Sequence, residues 1–156
     1  MKYLLFIFAI CCATSIAWSG EGVAHDVSTE LTLTETNRAI VEQFVHLFYR
    51  EKLVREAFET YVVEDYIQHN PNIADGREAA ILGLEPMFSK PTFMIEVKRI
   101  LVDGDMAVVH LHARSSPEER GGSVMDMFRV ENGKIVEHWD VLQEIPEKSA
   151  NAHPMF

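Results

Sequence analysis

Acidic, histidine and aromatic side chains alternate with apolar residues in the last third of the chain. Asp126 lies in the run MDMFRV and Trp139 in KIVEHWDV, and the two runs flank Asn132-Gly133. Asn-Gly between alternating segments predicts a β-hairpin, because both residues tolerate positive φ. With these two residues as the loop, Asp126 is expected opposite Trp139. Burial of a carboxyl beside an apolar ring disfavours its charged form, so Asp126 is predicted to act as an acid or base near neutral pH.

Two histidines on the preceding alternating run are candidate partners for that carboxyl. His110 and His112 share one face of a predicted strand. If Ser115 pairs with Ser123 across the intervening loop, His112 lies opposite Asp126. This register predicts a catalytic His-Asp pair, Asp126 and His112, for proton transfer.

The same two histidines allow two other interpretations. Imidazoles at positions i and i+2 of one strand face can chelate zinc or iron, and the pattern resembles that of cupins. However, Glu118 lies six residues beyond His112, farther than the glutamate of a cupin. Alternatively, both histidines are hydrogen-bonded within a core. We predict neither a metal nor a cofactor.

A polar segment, EDYIQHNP, begins at Glu64 and ends at Pro71. Pro71 disfavours helix at the residue before it, so the segment is predicted to be a turn. Its polar side chains either cap the loop or line the mouth of a cavity. The residues predicted to bind substrate are Tyr66, His69, Asn70, His110, Phe128 and Trp139.

Helical patterns come first in the chain and strand patterns follow. Thr32 and Glu35 form a capping box, which predicts a helix to about Arg50, and further helices are predicted over about Leu53 to Val62 and Gly76 to Ser89. The four predicted strands are Thr92 to Val102, Met106 to Ser115, Ser123 to Val130 and Lys134 to Gln143. This order predicts an α+β fold, with three N-terminal helices packed on a strongly curved antiparallel sheet of at least four strands.

The N-terminus has the pattern of a signal peptide. Lys2 precedes an apolar run, and Ala17 and Ser19 have the spacing of a cleavage site. We therefore expect a secreted or periplasmic protein with no membrane association after cleavage. Cleavage would remove Cys11 and Cys12, which excludes disulfides and cysteine-ligated zinc. The predicted organisation is residues 1–19 signal peptide, 20–33 flexible arm, 34–146 domain and 147–156 tail.

Overall composition limits the classes of partner. The 156 residues are 47% hydrophobic and 24% charged, with a formal net charge of −10, as in a soluble domain without a basic stripe for nucleic acid. No Gly-rich phosphate loop, G-x-S-x-G or H-E-x-x-H motif occurs in the sequence. The outer sheet face, predicted to carry Met125, Met127, Val136, His138 and Leu142, is apolar enough to suggest a homodimer.

Three segments, YIQHNPNIADG, VDGDMAVVHLHA and DMFRVENGKIVEHWDVLQ, together resemble the SnoaL-like polyketide cyclase family of the nuclear transport factor 2-like, or cystatin-like, superfamily. The resemblance implies a conical α+β barrel with a deep pocket. It also implies that Asp126 and His112 hold the positions of the acid/base pair in a metal-free aldol ring closure, and that His69, Asn70 and Trp139 line the pocket.

Together these features suggest a cofactor-independent enzyme acting on a small carbonyl compound by aldol-type condensation, isomerisation or dehydration. The alternative is a secreted, non-catalytic protein that binds a small hydrophobic ligand.

Overall fold

A computed structural model describes residues 21–156, and side chains from residue 27 onward. The predicted signal peptide, residues 1–19, lies outside the described residues. The elements are α1 (Glu21–Val45), a π-helical turn (His46–Arg50), α2 (Val54–Tyr61), β1 (Val62–Gln68), α3 (Arg77–Phe88), β2 (Met94–Asp103), β3 (Met106–Arg114), β4 (Gly122–Glu131) and β5 (Lys134–Glu144). The three helices and four strands predicted from sequence are present, and β1 is an additional strand.

Helix α1 begins earlier than predicted. It is helical from Glu21, through the segment expected to be a flexible arm. The Thr32 hydroxyl donates to the Ser28 carbonyl 2.9 Å away, one turn back. Its side chain therefore bonds within the helix instead of capping an N-terminus. Within residues 21–156, no helix has the length and apolar character needed to cross a membrane.

The five strands form one curled sheet in the order β1-β5-β4-β3-β2. Neighbouring strands are antiparallel except β1, which runs parallel to β5. Because β1 and β2 are the two edges, the sheet stays open. The helices pack on its concave face, so the predicted α+β fold is confirmed.

Aromatic rings hold the helical layer to the sheet. Phe44 of α1 contacts Phe48, Phe58 and Phe128, with ring centroids 5.3 to 5.6 Å apart. These four side chains are at most 4% exposed. Burial of one large aromatic side chain contributes about 2 kcal/mol or more to folding, so this cluster fixes the helices over the concave face.

The hairpin of β4 and β5 has the predicted turn but a different register beyond it. Glu131 pairs with Lys134, and Asn132 and Gly133 have φ of 50° and 77°. Two residues after Lys134, strand β5 contains one residue, Val136, that has no partner on β4 and forms a β-bulge. A bulge reverses the faces of all later residues relative to a regular pairing.

Because of this bulge, Asp126 lies opposite Asp140, and Phe128 lies opposite His138. The predicted pairing of Asp126 with Trp139 is wrong. His138 and Asp140, expected on the outer face, lie on the concave face with Asp126. Trp139 lies on the outer face instead.

The register of β3 and β4 also differs from prediction. Ser123 pairs with His112 instead of Ser115, a shift of three residues. An odd shift moves a side chain to the opposite face of the sheet. The concave face of β3 therefore carries Val109 and Leu111.

Gly121 permits this close junction between β3 and β4. Its φ is +72°, and a Cβ at this position would overlap the Ala113 carbonyl oxygen. Only glycine fits there.

The C-terminal tail is irregular, as predicted, and its end docks on the outer face. The Phe156 ring stacks on His112 with centroids 4.6 Å apart, and Lys98 Nζ lies 4.5 Å from the Phe156 centroid. Ser123 Oγ donates to the Met155 carbonyl at 3.4 Å. The tail therefore covers part of the sheet face that is opposite the pocket.

Candidate functional site

A cavity of about 760 Å³ lies between the concave sheet face and the helices. Its size is typical of small-molecule sites. Aromatic side chains form much of its wall: Phe48, Tyr49, Phe58, Tyr66, Phe88, Phe93 and Phe128. Asp126, His138, Asp140, Gln68 and Asn70 are polar groups on the same wall. An apolar cavity with a few converging polar groups is the usual form of an active or ligand-binding site.

Asp126 is the centre of the polar groups. It is 8% exposed. The Tyr49 hydroxyl donates to Asp126 Oδ2, and His138 Nε2 lies 3.4 Å from Asp126 Oδ1. The second contact is long for a hydrogen bond. Both carboxyl oxygens thus have a polar neighbour within the cavity.

Tyr49 reaches the cavity from the π-helical turn. Burial, together with the nearby Asp126 carboxylate and the hydrogen bond to it, raises the pKa of Tyr49 well above its ordinary value. Burial also raises the pKa of Tyr66, with smaller contributions from Asp126 and Asp140. Both phenols therefore keep their protons, and Tyr49 is a permanent donor to Asp126.

A second carboxyl lies beside the first. Asp140 is the cross-strand neighbour of Asp126, and Asn70 Nδ2 donates to Asp140 Oδ2. The Gln68 side chain accepts from His138 Nδ1 at 2.8 Å. Strand β1 and the loop after it thus supply polar partners to both His138 and Asp140 of β5.

The predicted site residues divide between the two faces of the sheet. Asp126, Phe128, Tyr66 and Asn70 line the cavity. The structure does not bring His69, His110, His112 or Trp139 into that lining. The predicted contact between Asp126 and His112 is wrong, because the β3–β4 register turns His112 away; His138 lies beside Asp126 instead.

His110 and His112 have structural contacts on the outer face. His110 Nε2 lies 2.8 Å from Ser123 Oγ, and its Nδ1 lies 3.2 Å from Arg99. His112 Nε2 donates to the Arg120 carbonyl at 2.6 Å. Burial, with Arg99 and Lys98 nearby, lowers the pKa of His110. These contacts fit the interpretation of hydrogen-bonded structural histidines.

His69 and Trp139 form another cluster on the outer face. Their rings stack with centroids 4.7 Å apart and an interplanar angle of 9°. His69 Nε2 lies 2.8 Å from Glu137 Oε1, and Arg129 Nε donates to Glu137 Oε2 at 2.8 Å. Hydrogen bonds from His69 and Arg129 lower the pKa of Glu137. This cluster has a histidine and a carboxylate but does not line the cavity.

Sequence reasoning missed three residues of the site. Tyr49 was hidden within a helical apolar pattern, and His138 and Asp140 were placed on the wrong face. The sequence already indicated that His138 and Asp140 share one face of a strand, because they lie on either side of Trp139. Only the bulge at Val136 decides which set faces inward.

Asp126, His138 and Asp140 also have the chemistry of a metal site. Each offers one ligand atom, and these atoms lie within 4.8 Å of one another. Nitrogen and carboxylate oxygen donors suit Zn²⁺, Fe²⁺ or Mn²⁺. In the present arrangement each of the three already has a hydrogen-bonding neighbour from the chain.

Comparison with known proteins identifies the family. The model of the SnoaL-like domain matches residues 41–138, more than half of the chain. The chain belongs to the SnoaL-like family. A search of curated proteins gave no match.

Solved structures share the fold of this SnoaL-like chain. A candidate ketosteroid isomerase from Kribbella flavida is 21% identical, with a TM-score of 0.61 over 76% of this chain and 85% of that one. An NTF2-like protein from Mesorhizobium loti is 19% identical, with a TM-score of 0.59 over 70% and 93%. A candidate SnoaL-like polyketide cyclase from Jannaschia sp. CCS1 is 17% identical, with a TM-score of 0.55 over 70% and 87%. The architecture is therefore the NTF2-like fold.

Proposed function

We propose that this SnoaL-like domain is a cofactor-independent enzyme that transfers a proton on a small, largely apolar carbonyl compound. The observation that carries the proposal is the convergence of Asp126, His138 and Tyr49 on one aromatic cavity. The pair is Asp126 with His138, in place of the pair with His112 expected from sequence.

In this proposal Asp126 is the base. Its carboxylate accepts a proton from the carbon next to the substrate carbonyl; the C–H electron pair becomes the C=C bond of the enolate and the C=O π pair moves onto the oxygen. Protonated His138 donates a hydrogen bond from Nε2 to this enolate oxygen and keeps its proton. Asp126 then returns the proton to another carbon, which is isomerisation. Alternatively, the enolate carbon attacks a second carbonyl and that oxygen takes the proton, which is an aldol addition.

Tyr49 and the aromatic wall support this chemistry. The Tyr49 hydroxyl holds Asp126 Oδ2, so Oδ1 is the oxygen left to exchange a proton beside His138. The rings of the wall exclude water and pack against an apolar substrate. A candidate ketosteroid isomerase and a candidate polyketide cyclase have the same fold, which agrees with proton transfer next to a carbonyl.

The test follows α-hydrogen exchange in D₂O for a panel of cyclic and aromatic ketones, monitored by proton NMR. The parent is expected to accelerate exchange of at least one ketone. Asp126→Asn keeps the shape of the side chain and removes the base, so exchange should fall by about 10²-fold or more. Equal rates for the parent and Asp126→Asn would contradict the proposal.

His112→Gln is the matched control. His112 was the sequence-based candidate for the catalytic histidine, but it stacks on Phe156 on the outer face. The variant should retain the exchange rate of the parent. A loss equal to that of Asp126→Asn would return the catalytic role to His112.

A second function, binding of a hydrophobic ligand without chemistry, is supported by a different observation. Among the described residues, every buried side-chain nitrogen or oxygen already has a hydrogen-bond partner. A polar group that is fully satisfied needs no substrate to complete it. Native mass spectrometry after gentle purification would show a retained ligand that is recovered unchanged after incubation.

Two further proposals concern the state of the protein. Residues 1–19 are proposed to direct export, and N-terminal sequencing of protein from the periplasm or medium should then begin at Gly20.

The outer sheet face is proposed to join two copies, since Leu101, Met125 and Val141 are 62%, 45% and 69% exposed there. Light scattering should give twice the chain mass, and Val141→Lys should halve it.

A further inference from the structure

Gln68 lies between a backbone amide and the histidine of the site. Its Oε1 accepts from the backbone N–H of Asn70 at 2.9 Å and faces His138 Nδ1 at 2.8 Å. A backbone N–H can only donate. This contact therefore fixes which end of the Gln68 amide is the oxygen.

The orientation of the amide determines the hydrogen on the imidazole. Because Gln68 Oε1 is an acceptor, His138 Nδ1 must carry a hydrogen to make the 2.8 Å contact. Neutral His138 then has its lone pair on Nε2, the nitrogen that lies 3.4 Å from Asp126 Oδ1. The neutral imidazole can thus exchange a proton only on the Asp126 side.

The neighbouring amide is oriented in the same way. Asn70 Oδ1 accepts from the backbone N–H of Asn72 at 2.9 Å. Nδ2 is therefore the atom that faces Asp140, and it donates to Asp140 Oδ2. The backbone amides of Asn70 and Asn72 thus orient two side-chain amides, Gln68 as acceptor for His138 and Asn70 as donor to Asp140.

We propose that Gln68 is a positioning residue that holds His138 in the Nδ1–H tautomer, with Nε2 aimed at Asp126. In the proposed function, on which this inference rests for its catalytic consequence, this tautomer leaves Nε2 as the nitrogen that takes up a hydrogen and donates it to the enolate oxygen. Gln68 itself does not touch the reacting atoms. A hydrogen bond at one imidazole nitrogen fixes which of the two nitrogens carries the hydrogen and which has the lone pair.

Several titratable groups surround His138. Asp126 faces it from β4, Asp140 follows it on the same face of β5, Tyr49 reaches Asp126 from the π-helical turn, and Tyr66 of β1 lies with its ring centroid 6.5 Å from that of His138. The pKa values of both tyrosines are raised, so they stay neutral. The two groups nearest to His138 that can carry a negative charge are therefore the carboxyls of Asp126 and Asp140.

The test is ¹⁵N NMR of the imidazoles in the substrate-free protein, at a pH where His138 is neutral. The parent should show a protonated Nδ1 and a pyridine-like Nε2 for His138. Gln68→Leu removes the acceptor, so Nε2–H should become populated and kcat should fall by about tenfold with little change in KM. Gln43→Leu, the same change at an exposed position of α1, should alter neither property.

Gln68→Glu is the rescue variant. A carboxylate can accept from both His138 Nδ1 and the Asn70 amide, so the Nδ1–H tautomer should persist. If Gln68→Leu fails to fold, Gln68→Glu decides alone. Loss of the Nδ1–H tautomer in this variant would overturn the inference.

The NMR result and the activity result separate the two proposals. A His138 that stays Nδ1–H in folded Gln68→Leu overturns the role of Gln68, whatever the activity. A tautomer that responds to Gln68 as described, in a protein whose Asp126→Asn variant exchanges protons as fast as the parent, overturns the proposed reaction and leaves the role of Gln68 intact.

Discussion

Two histidine-carboxylate pairs occupy opposite faces of the sheet. On the outer face His69 lies 2.8 Å from Glu137, and on the concave face His138 lies 3.4 Å from Asp126. The outer pair is the shorter one, yet it is 42% exposed at the histidine and Arg129 also binds its carboxylate. The concave side chains are only about one tenth exposed and border the cavity. The two pairs therefore differ more in their surroundings than in their distance.

The difference between the two pairs follows from charge compensation. Glu137 is held as an anion by two donors, so it has little tendency to accept another proton. Asp126 has a neutral phenol and an imidazole as neighbours and no Arg or Lys hydrogen-bonded to it among the described residues. The two carboxyl groups therefore differ in whether a cationic side chain compensates their charge.

The largest expected effect is the difference in proton-exchange activity between two variants, in each of which the histidine of one pair is replaced. His138→Gln should lower the exchange activity by about 10² to 10⁴-fold, the usual contribution of a general acid or base. His69→Gln should change it by less than about threefold, because His69 lies outside the cavity. Steady-state kinetics of the two variants measure this ratio. Equal losses would mean that the two faces do not differ in function.

The next effect concerns the β3–β4 junction, which turns His112 away from the cavity. Gly121→Ala should lower the free energy of unfolding by roughly 3 kcal/mol, because φ is +72° and the added Cβ overlaps the Ala113 carbonyl. Gly104→Ala is the control, since its φ is +57° with nothing within 4 Å of the added Cβ. It should cost about 1 kcal/mol. Urea denaturation measures both free energies of unfolding. Equal values for Gly121→Ala and Gly104→Ala would show that close packing at Gly121 is unimportant.

A smaller effect is expected at Glu137. Its pKa in the folded protein is depressed, chiefly by the hydrogen bonds from His69 and Arg129, so its stabilisation is present above the unfolded value of about 4.3 and is lost as pH falls through the folded value. Glu137→Gln should therefore lower stability at pH 7 by about 1 kcal/mol or less. The difference between the parent and the variant should begin to shrink below about pH 4 and vanish below the folded pKa of Glu137. A difference that is constant from pH 7 to pH 3 would contradict this assignment.

The smallest effect is expected at His110. Its folded pKa is lowered by burial and by Arg99 and Lys98, so the unfolded chain binds a proton first, at a pH of about 6.5. Stability from this residue is present above that pH and is lost as pH falls through the folded value. His110→Gln should flatten the thermal stability profile between pH 7 and 5. An unchanged slope would show that another group titrates there.

The helices and the long strands could be predicted because their apolar periods are clear. Strand β1 could not, because its charged segment around Glu64 and Asp65 is exposed and resembles a loop. The identity of Asp126 as a buried carboxyl was predictable from its hairpin. Its partner was not, because one bulge at Val136 and one close approach at Gly121 set the registers. Alternation of apolar and polar side chains indicates a strand, but it does not show where an extra residue interrupts the pairing.

The π-helical turn over His46–Arg50 has an evolutionary consequence. Such a turn accommodates one residue more than an α-helix of the same length, and it is often found at functional sites. Here the extra residue allows both Phe48 and Tyr49 to be buried, at 4% and 3% exposure. A relative with one residue fewer in this turn would form an unbroken α-helix and rotate the phenol away from the carboxylate. A gap at this position in an alignment would therefore separate relatives in which a tyrosine donates to the carboxylate from relatives that use a different donor.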